Sequence, residues 1–272
     1  MTRQVVVFTD VDGCILDAST YAPGPARAAI RRLERRGVPV IFCTSRTRAE
    51  VVALEAELGR RSIAIVESGA AVLIPPRFLP RRPPGARRVR AGWLVPLSVP
   101  YAEVRVALAE LRQVLGEGIR GFGDMTAREV AGRTGLPLEG ARRARRREFD
   151  EPFVFEGNEA RLHEALRAIL PARGFAWSRG GRFHHLHGDV DKGRALRVVS
   201  GWLREVWPAL HVIALGDSPH DLPMLREADQ AVIVPRPDGS ADPRLQRALP
   251  GARIAVAPGP VGWAKAVGAL VP

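Results

Sequence analysis

Cysteine is nearly absent from this chain. Cys14 and Cys43 stand alone among 272 residues, too few for a disulfide framework and without partners at CxxC spacing, so they read as reduced packing residues. Lysine is scarce for so basic a protein: of 41 basic residues, all but Lys192 and Lys265 are arginine. Nowhere do roughly 18 apolar residues follow one another, and the opening MTRQVVVFTD places only four before a carboxylate. Neither a membrane helix nor a signal peptide is expected, and the chain reads as soluble and cytoplasmic, with no membrane partner. The surplus charge of +12, with a pI of about 11.2, comes without a basic tail or an aromatic-rich basic motif. That argues against nucleic acid as a partner.

What is present is a chain that is 46% hydrophobic and long enough for one large domain or two ordinary ones. Its first third alternates short apolar runs with helical patterns. Val5–Phe8 reads as a strand, Pro23–Gly37 as a helix closed by glycine, Val38–Cys43 as a strand, TRAEVVALEAELG as a helix and IAIVESG as a third strand. The last third resumes the alternation with a helix from Lys192, the strand HVIALGD, the helix SPHDLPMLREA and the strands AVIV and IAVA. Residues 1–84 and 188–272 are therefore expected to form one α/β, doubly wound parallel-sheet domain. The middle, 85–187, follows a Pro-rich stretch and mixes strands near Trp93–Leu97, at EPFVFEG and at RFHHLHG with helices, without strict alternation. It reads as an inserted α+β domain, of the kind that acts as a lid.

Asp10 and Asp12 close the first strand two residues apart, with Gly13 behind them. Carboxylates so close repel, so a cation is expected between them. In an open parallel sheet ligands bind beyond the carboxyl ends of the strands. Thr44, Ser45 and Arg46 lie at such an end, as does GDSPHD, Gly216–Asp221, while Lys192 opens the helix before that strand. Asp10, Asp12 and Asp217 suit Mg2+, a hard cation that prefers oxygen; Asp221 either joins them or orients a ligand. Such a carboxylate can attack phosphorus and form an aspartyl-phosphate, with Asp12 protonating the leaving alkoxide and later deprotonating water. Lys192 and the Thr44 hydroxyl would offset charge on the phosphoryl oxygens.

DxDG, a Thr after the second strand, a Lys after a long insertion and GDSxxD resemble the four motifs of the haloacid dehalogenase (HAD) superfamily of phosphohydrolases, and the insertion resembles its type II caps, here type IIB. VESGAAVLIP, GFGDMTAREVAGRTGL, ARRARRREFDEPFVF, GGRFHHLHG and DKGRAL are similar to the mannosyl-3-phosphoglycerate phosphatases. That resemblance implies a HAD-like core with a cap that selects substrate. It implies a Mg2+-dependent enzyme, monomer or homodimer, releasing mannosylglycerate, a compatible solute. Phosphatases of glucosyl-3-phosphoglycerate, sucrose phosphate or another sugar phosphate, and a phosphomutase, are the alternatives. A basic RNA-binding protein on an inactive scaffold is opposed by the filled acidic motifs.

The resemblance further implies substrate contacts from Gly13, Ser45, Arg46, Ser68, Gly69 and Ser218 in the core and from Arg182 and His184 in the cap. Three positions depart from the family pattern: Ser68 and His220 where Asn is common, and His184 or His185 where Tyr is common. Ala141–Glu148 reads as a helix with a solvated basic face; the alternative is that one or two of Arg142, Arg143, Arg146 and Arg147 meet the glycerate carboxylate. The HxH spacing in GGRFHHLHG invites zinc, but no other metal-type residues cluster near it in the sequence, so cap substrate contacts are expected there instead. The five tryptophans are expected in the core.

Overall fold

The computed structural model describes residues 3–116, 118–179 and 182–271. Its first strand, β1 (Gln4–Thr9), turns Val7 to one side and Val6 and Phe8 to the other, and all three are fully buried. Such a strand needs cover on both faces. On one face lie the helices Ala26–Arg35, Arg48–Leu58 and Gly259–Leu270; on the other lie Lys192–Val206, Leu222–Arg226 and Pro243–Ala248. The Ala26–Arg35 helix buries Ala26, Ala29, Ile30 and Leu33, the spacing of a single apolar stripe. The Arg48–Leu58 helix starts with a Thr47/Glu50 capping box and stops at Gly59 in the left-handed region.

The other strands are β2 (Val40–Cys43), β3 (Ala64–Val66), β4 (Ala71–Ile74), β5 (Arg87–Val89), β6 (Gly92–Pro96), β7 (Ile119–Gly121), β8 (Asp150–Phe155), β9 (Phe175–Arg179), β10 (His184–Gly188), β11 (Leu210–Gly216), β12 (Gln230–Ile233) and β13 (Arg253–Ile254). The larger sheet runs β13-β12-β11-β1-β2-β3-β4-β6-β5. It is parallel from β13 to β3, with helices on both sides, as the alternation implied. The smaller runs β7-β8-β10-β9 and is antiparallel throughout. Helices Tyr101–Leu115 and Glu159–Ile169 pack on one of its faces through Phe153 and Leu186. On the other face a cluster of Phe122, Met125, Val130, Ala141 and Ala144 gathers around Val154 and Phe183.

Two expectations are corrected. The strand near Trp93–Leu97, assigned with the middle segment, is β6 and pairs antiparallel with β4 in the larger sheet. The third strand does not run through IAIVESG: it ends at Val66, and the chain reverses through Glu67, Ser68 and Gly69 into β4. Glu67 and Ser68 take φ of 47° and 61°, a region non-glycine residues seldom occupy, so the hairpin lacked the usual glycine-first turn signature. Among the described residues no helix is long and apolar enough to cross a membrane.

Candidate active site

The order β11-β1-β2 sets three strand ends side by side, and the motif residues occupy the loops beyond them. Asp10 N–H donates to the Leu215 carbonyl at 2.9 Å, which ties the first motif to β11. Trp263, wholly buried, donates from Nε1 to Thr9 Oγ1 at 2.8 Å, and Thr9 Oγ1 donates to the Asp10 carbonyl at 2.7 Å. The other tryptophans are only partly buried, so of the five just Trp263 meets the core expectation in full.

Lys192 is the cation at the centre. Its side chain is 2% exposed, and its Nζ donates to Asp10 Oδ1 and Asp221 Oδ1 at 2.6 Å each. Burial alone would lower its pKa, but the two carboxylates outweigh that and hold it well above the usual value, so it stays an ammonium. Asp221 spends its other oxygen on the N–H groups of Asp217 and Ser218 at 3.1 Å and on Ser218 Oγ at 3.2 Å. Burial pushes its pKa up, yet Lys192 more than offsets this and holds it below the ordinary range. Both Asp221 oxygens are thus engaged, one by Lys192 and the other by the Asp217–Ser218 backbone and the Ser218 hydroxyl.

Asp10 and Asp217, with the Cys14 thiol, bring ligand atoms within 4.8 Å of one another. Burial lifts Asp10 to about 7, and burial together with Asp221 and Asp10 lifts Asp217 well above its ordinary value. Burial also pushes both cysteine thiols up, so they remain protonated packing groups as expected. Two opposed carboxylates beside a neutral thiol form an oxygen donor set suited to a hard divalent cation. Gly13, with φ of 79°, permits their approach: a Cβ there would lie 2.6 Å from Asp217 Oδ2.

Asp12 does not join this cluster through its side chain. Arg46 holds it in a fork, from Nε to Oδ2 at 2.9 Å and from the terminal nitrogen to Oδ1 at 2.5 Å. Asp12, expected as a side-chain metal ligand, lines the same cavity as Asp10 but is engaged in this ion pair with Arg46. Thr44 is fully buried, its Oγ1 accepting from Arg46 N–H at 3.2 Å, and Ser45 is the residue that faces the cavity. Ser68 and Gly69 also sit behind the wall. Ser68 Oγ contacts His220 Nε2 at 3.0 Å, and Gly69 packs on the Asp191 carbonyl, where a Cβ would come within 2.3 Å. His220, pushed down to about 3 by burial and then by Lys192, presents a neutral imidazole to the cavity.

The cavity, of about 350 Å³, has these groups as its floor and the smaller sheet's unit as its roof. Arg182, Phe183, Phe122 and Arg147 line the roof, and so does His185 rather than His184. Adjacent strand residues point to opposite faces. His184 therefore stacks on Phe153 at 5.2 Å in the distant core, while His185 faces inward and bonds Asp150 at 3.0 Å through Nδ1. The basic stretch behaves as read at Ala141 and Ala144, which are buried, but Arg147 is not solvated: its side chain is 6% exposed and donates to the Ser45 carbonyl at 2.7 Å. Sequence reading missed Tyr21 and Glu50, which also line the cavity, and the contact from Tyr21 OH to the Thr134 carbonyl at 3.2 Å. It also missed Glu67, whose carboxylate accepts from the N–H groups of Glu148, Phe149 and Asp150 at 2.9 to 3.1 Å, joining the β3–β4 turn to the start of β8.

Comparison with known proteins agrees with this arrangement. A family model described as haloacid dehalogenase-like hydrolase matches residues 7–77. Over 266 residues, 98% of this chain and 97% of the relative, the sequence is 36% identical to a glucosyl-3-phosphoglycerate/mannosyl-3-phosphoglycerate phosphatase of Methanococcoides burtonii. It is 31% identical to a mannosyl-3-phosphoglycerate phosphatase of Pyrococcus furiosus over 84% of this chain and 90% of that protein. A solved HAD subclass IIB sugar phosphatase shares the fold, with a TM-score of 0.66, 15% identity and coverage of 97% and 98% of the two chains. With DVDG and GDSPHD meeting at Lys192 and the sequence shared over nearly its whole length, the chain belongs to the mannosyl-3-phosphoglycerate phosphatase family of the haloacid dehalogenase-like hydrolases.

Proposed function

We propose that this chain hydrolyses mannosyl-3-phosphoglycerate, and its glucosyl counterpart, to the glycosylglycerate and phosphate, with Asp10 as nucleophile. The observation that carries this is Asp10 held by buried Lys192 at Oδ1, with a carboxylate oxygen within 4.8 Å of one from Asp217, in a cavity that Arg182 also lines. Asp10 attacks phosphorus and the ester P–O bond breaks. The departing alkoxide takes a proton from Asp12. Asp12 then takes a proton from water, which attacks the aspartyl-phosphate and frees Asp10. Lys192 opposes the burial that raises Asp10 and aims its carboxylate, and Asp221 keeps Lys192 in place.

Asp10 and Asp217 are the residues that would hold Mg2+, and the ion when bound offsets the repulsion between a carboxylate and an incoming phosphate. Asp12 begins as a carboxylate in the Arg46 fork, and a substrate anion competing for Arg46 would release it to take a proton from solvent, which it then passes to the departing alkoxide. Ser45 and Ser218 line the floor as hydroxyl donors, while Thr44 and Ser68 shape the loops behind it. We read the segment from about Ser98 to Gly188, later in its start than the sequence division at 85, as the cap that excludes water from the reacting phosphoryl group until the sugar acid has left.

A panel of mannosyl-3-phosphoglycerate, glucosyl-3-phosphoglycerate, sucrose 6-phosphate and p-nitrophenyl phosphate, with Mg2+ and with chelator, tests this reading. The two phosphoglycerates should show the highest kcat/KM, inorganic phosphate should be the product, and chelator should abolish turnover. Preference for sucrose phosphate, an isomerised phosphosugar as product, or full activity in chelator would each overturn it.

A further inference from the structure

On the far face of the smaller sheet, away from the Asp10 cavity, three residues meet that sequence order keeps apart. Glu159 and His163 stand one turn apart on the same side of the Glu159–Ile169 helix, and His184 reaches them from β10. Glu159 Oε2 lies 3.5 Å from His163 Nε2, and Glu159 Oε1 lies 3.4 Å from His184 Nε2. One ligand atom from each residue falls within 4.8 Å of the other two. Ligands bound at about 2.0–2.1 Å in a tetrahedral Zn2+ shell stand about 3.4 Å from one another. The Glu159 separations match that spacing and are long for direct hydrogen bonds.

The ligand atoms are also poised. His163 Nε2 is buried with no hydrogen-bond partner among the described residues. Its ring is fixed by stacking on Trp177 at 4.9 Å, and that of His184, only 4% exposed, by stacking on Phe153 at 5.2 Å. Glu159 and His163 are 43% and 33% exposed, so an ion can enter from solvent and complete its shell with water. The neighbouring charge is Arg179, which donates to Glu159 Oε2 at 3.0 Å and would be displaced from that oxygen.

We propose that Glu159, His163 and His184 form a binding site for a divalent transition metal of the zinc class, which clamps the first turn of the Glu159–Ile169 helix to β10. Two imidazoles and one carboxylate are borderline donors that favour Zn2+ over Mg2+. The site shares no residue with the cavity lining and stands or falls independently of the phosphatase reading. It is also what the HxH reading overlooked: His185 and His187 face the other way, and the partners of His184 lie on a helix more than one element upstream.

Calorimetric titration of Zn2+ into the full chain with Mg2+ in excess, for wild type, His163→Ala, Glu159→Gln and Asp217→Asn, tests the proposal. Both cap variants change partly exposed side chains and are used in preference to His184→Ala, which alters the buried core. Wild type and Asp217→Asn should bind Zn2+ at this site, and His163→Ala should bind at least about 100-fold more weakly. Zn2+ should raise the Tm of wild type and leave that of His163→Ala unmoved. Zn2+ binding by His163→Ala and Glu159→Gln equal to wild type, or its complete loss in Asp217→Asn, would overturn the site.

Discussion

Arg182 differs from the other arginines of the cavity in having no carboxylate partner among the described residues. Arg46 is spent on Asp12, and Arg147 lies 3.6 Å from Asp150, whereas Arg182 donates only to the carbonyls of Thr134 and Arg133, at 2.9 and 3.3 Å. On the proposed function it is the group that would take up the glycerate carboxylate. Arg182→Ala should lower kcat/KM for the phosphoglycerate ester by about ten- to a hundredfold, one charge-assisted contact of about 1.5–3 kcal/mol, and leave p-nitrophenyl phosphate nearly unchanged. Equal losses on both substrates would make Arg182 a structural residue. The core residues were legible because DxDG and GDSxxD sit at strand ends, where short-range pattern fixes position. The choice between His184 and His185 was not legible. It depends on which face of β10 meets the core sheet, which only tertiary packing decides. The Asp12 fork was equally hidden, since Arg46 is 34 residues away in sequence.

The β3–β4 hairpin binds the two sheets together through a single side chain. Removing Glu67 would leave the N–H groups of Glu148, Phe149 and Asp150 without their acceptor. At about 1–3 kcal/mol for each buried unpaired amide, Glu67→Ala should cost about 3 kcal/mol or more in denaturant unfolding. A variant within about 1 kcal/mol of wild type would show that water replaces the carboxylate there. β10 supplies a pH dependence. Burial holds the His187 pKa below its ordinary value, against the pull of Asp150, with Ser178 Oγ at 3.3 Å and the Gly188 carbonyl at 2.8 Å beside the ring. Below about pH 6.5 the unfolded chain takes up a proton that the folded ring resists, so this contribution is present above that pH and lost as pH falls. Tm should drop between about pH 7 and pH 5.5, and drop less in His187→Gln; parallel curves would remove His187 from the cause. At this scale sequence alternation disclosed the parallel strands, each bounded by a helix. It missed β4 and β5, the antiparallel extension, because the β3–β4 turn is built from Glu67 and Ser68 at positive φ and both strands are short runs that pair with the distant β6.

Across the whole molecule, the larger sheet supplies a floor and the smaller sheet a roof, and besides Glu67 two contacts join the roof to the second-motif loop and the residue after it. Arg147 donates to the Ser45 carbonyl at 2.7 Å, and Thr47 Oγ1 donates to the Arg143 carbonyl at 3.0 Å. The loop that carries Ser45 to the cavity is therefore also a loop on which the roof rests. Sequence order suggested an insertion starting at 85, before β5 and β6, but in the structure β6 pairs with β4 and β5 with β6 in the larger sheet. The central claim is that Asp10 becomes phosphorylated during turnover. Its most direct test is to mix the protein with mannosyl-3-phosphoglycerate and Mg2+, quench within the first turnover, reduce with borohydride and map the peptides by mass spectrometry. Homoserine in place of Asp10, absent when substrate is omitted and accompanied by loss of turnover in a folded Asp10→Asn variant, is the expected result; turnover with Asp10 unmodified, or by Asp10→Asn at the wild-type rate, would contradict it.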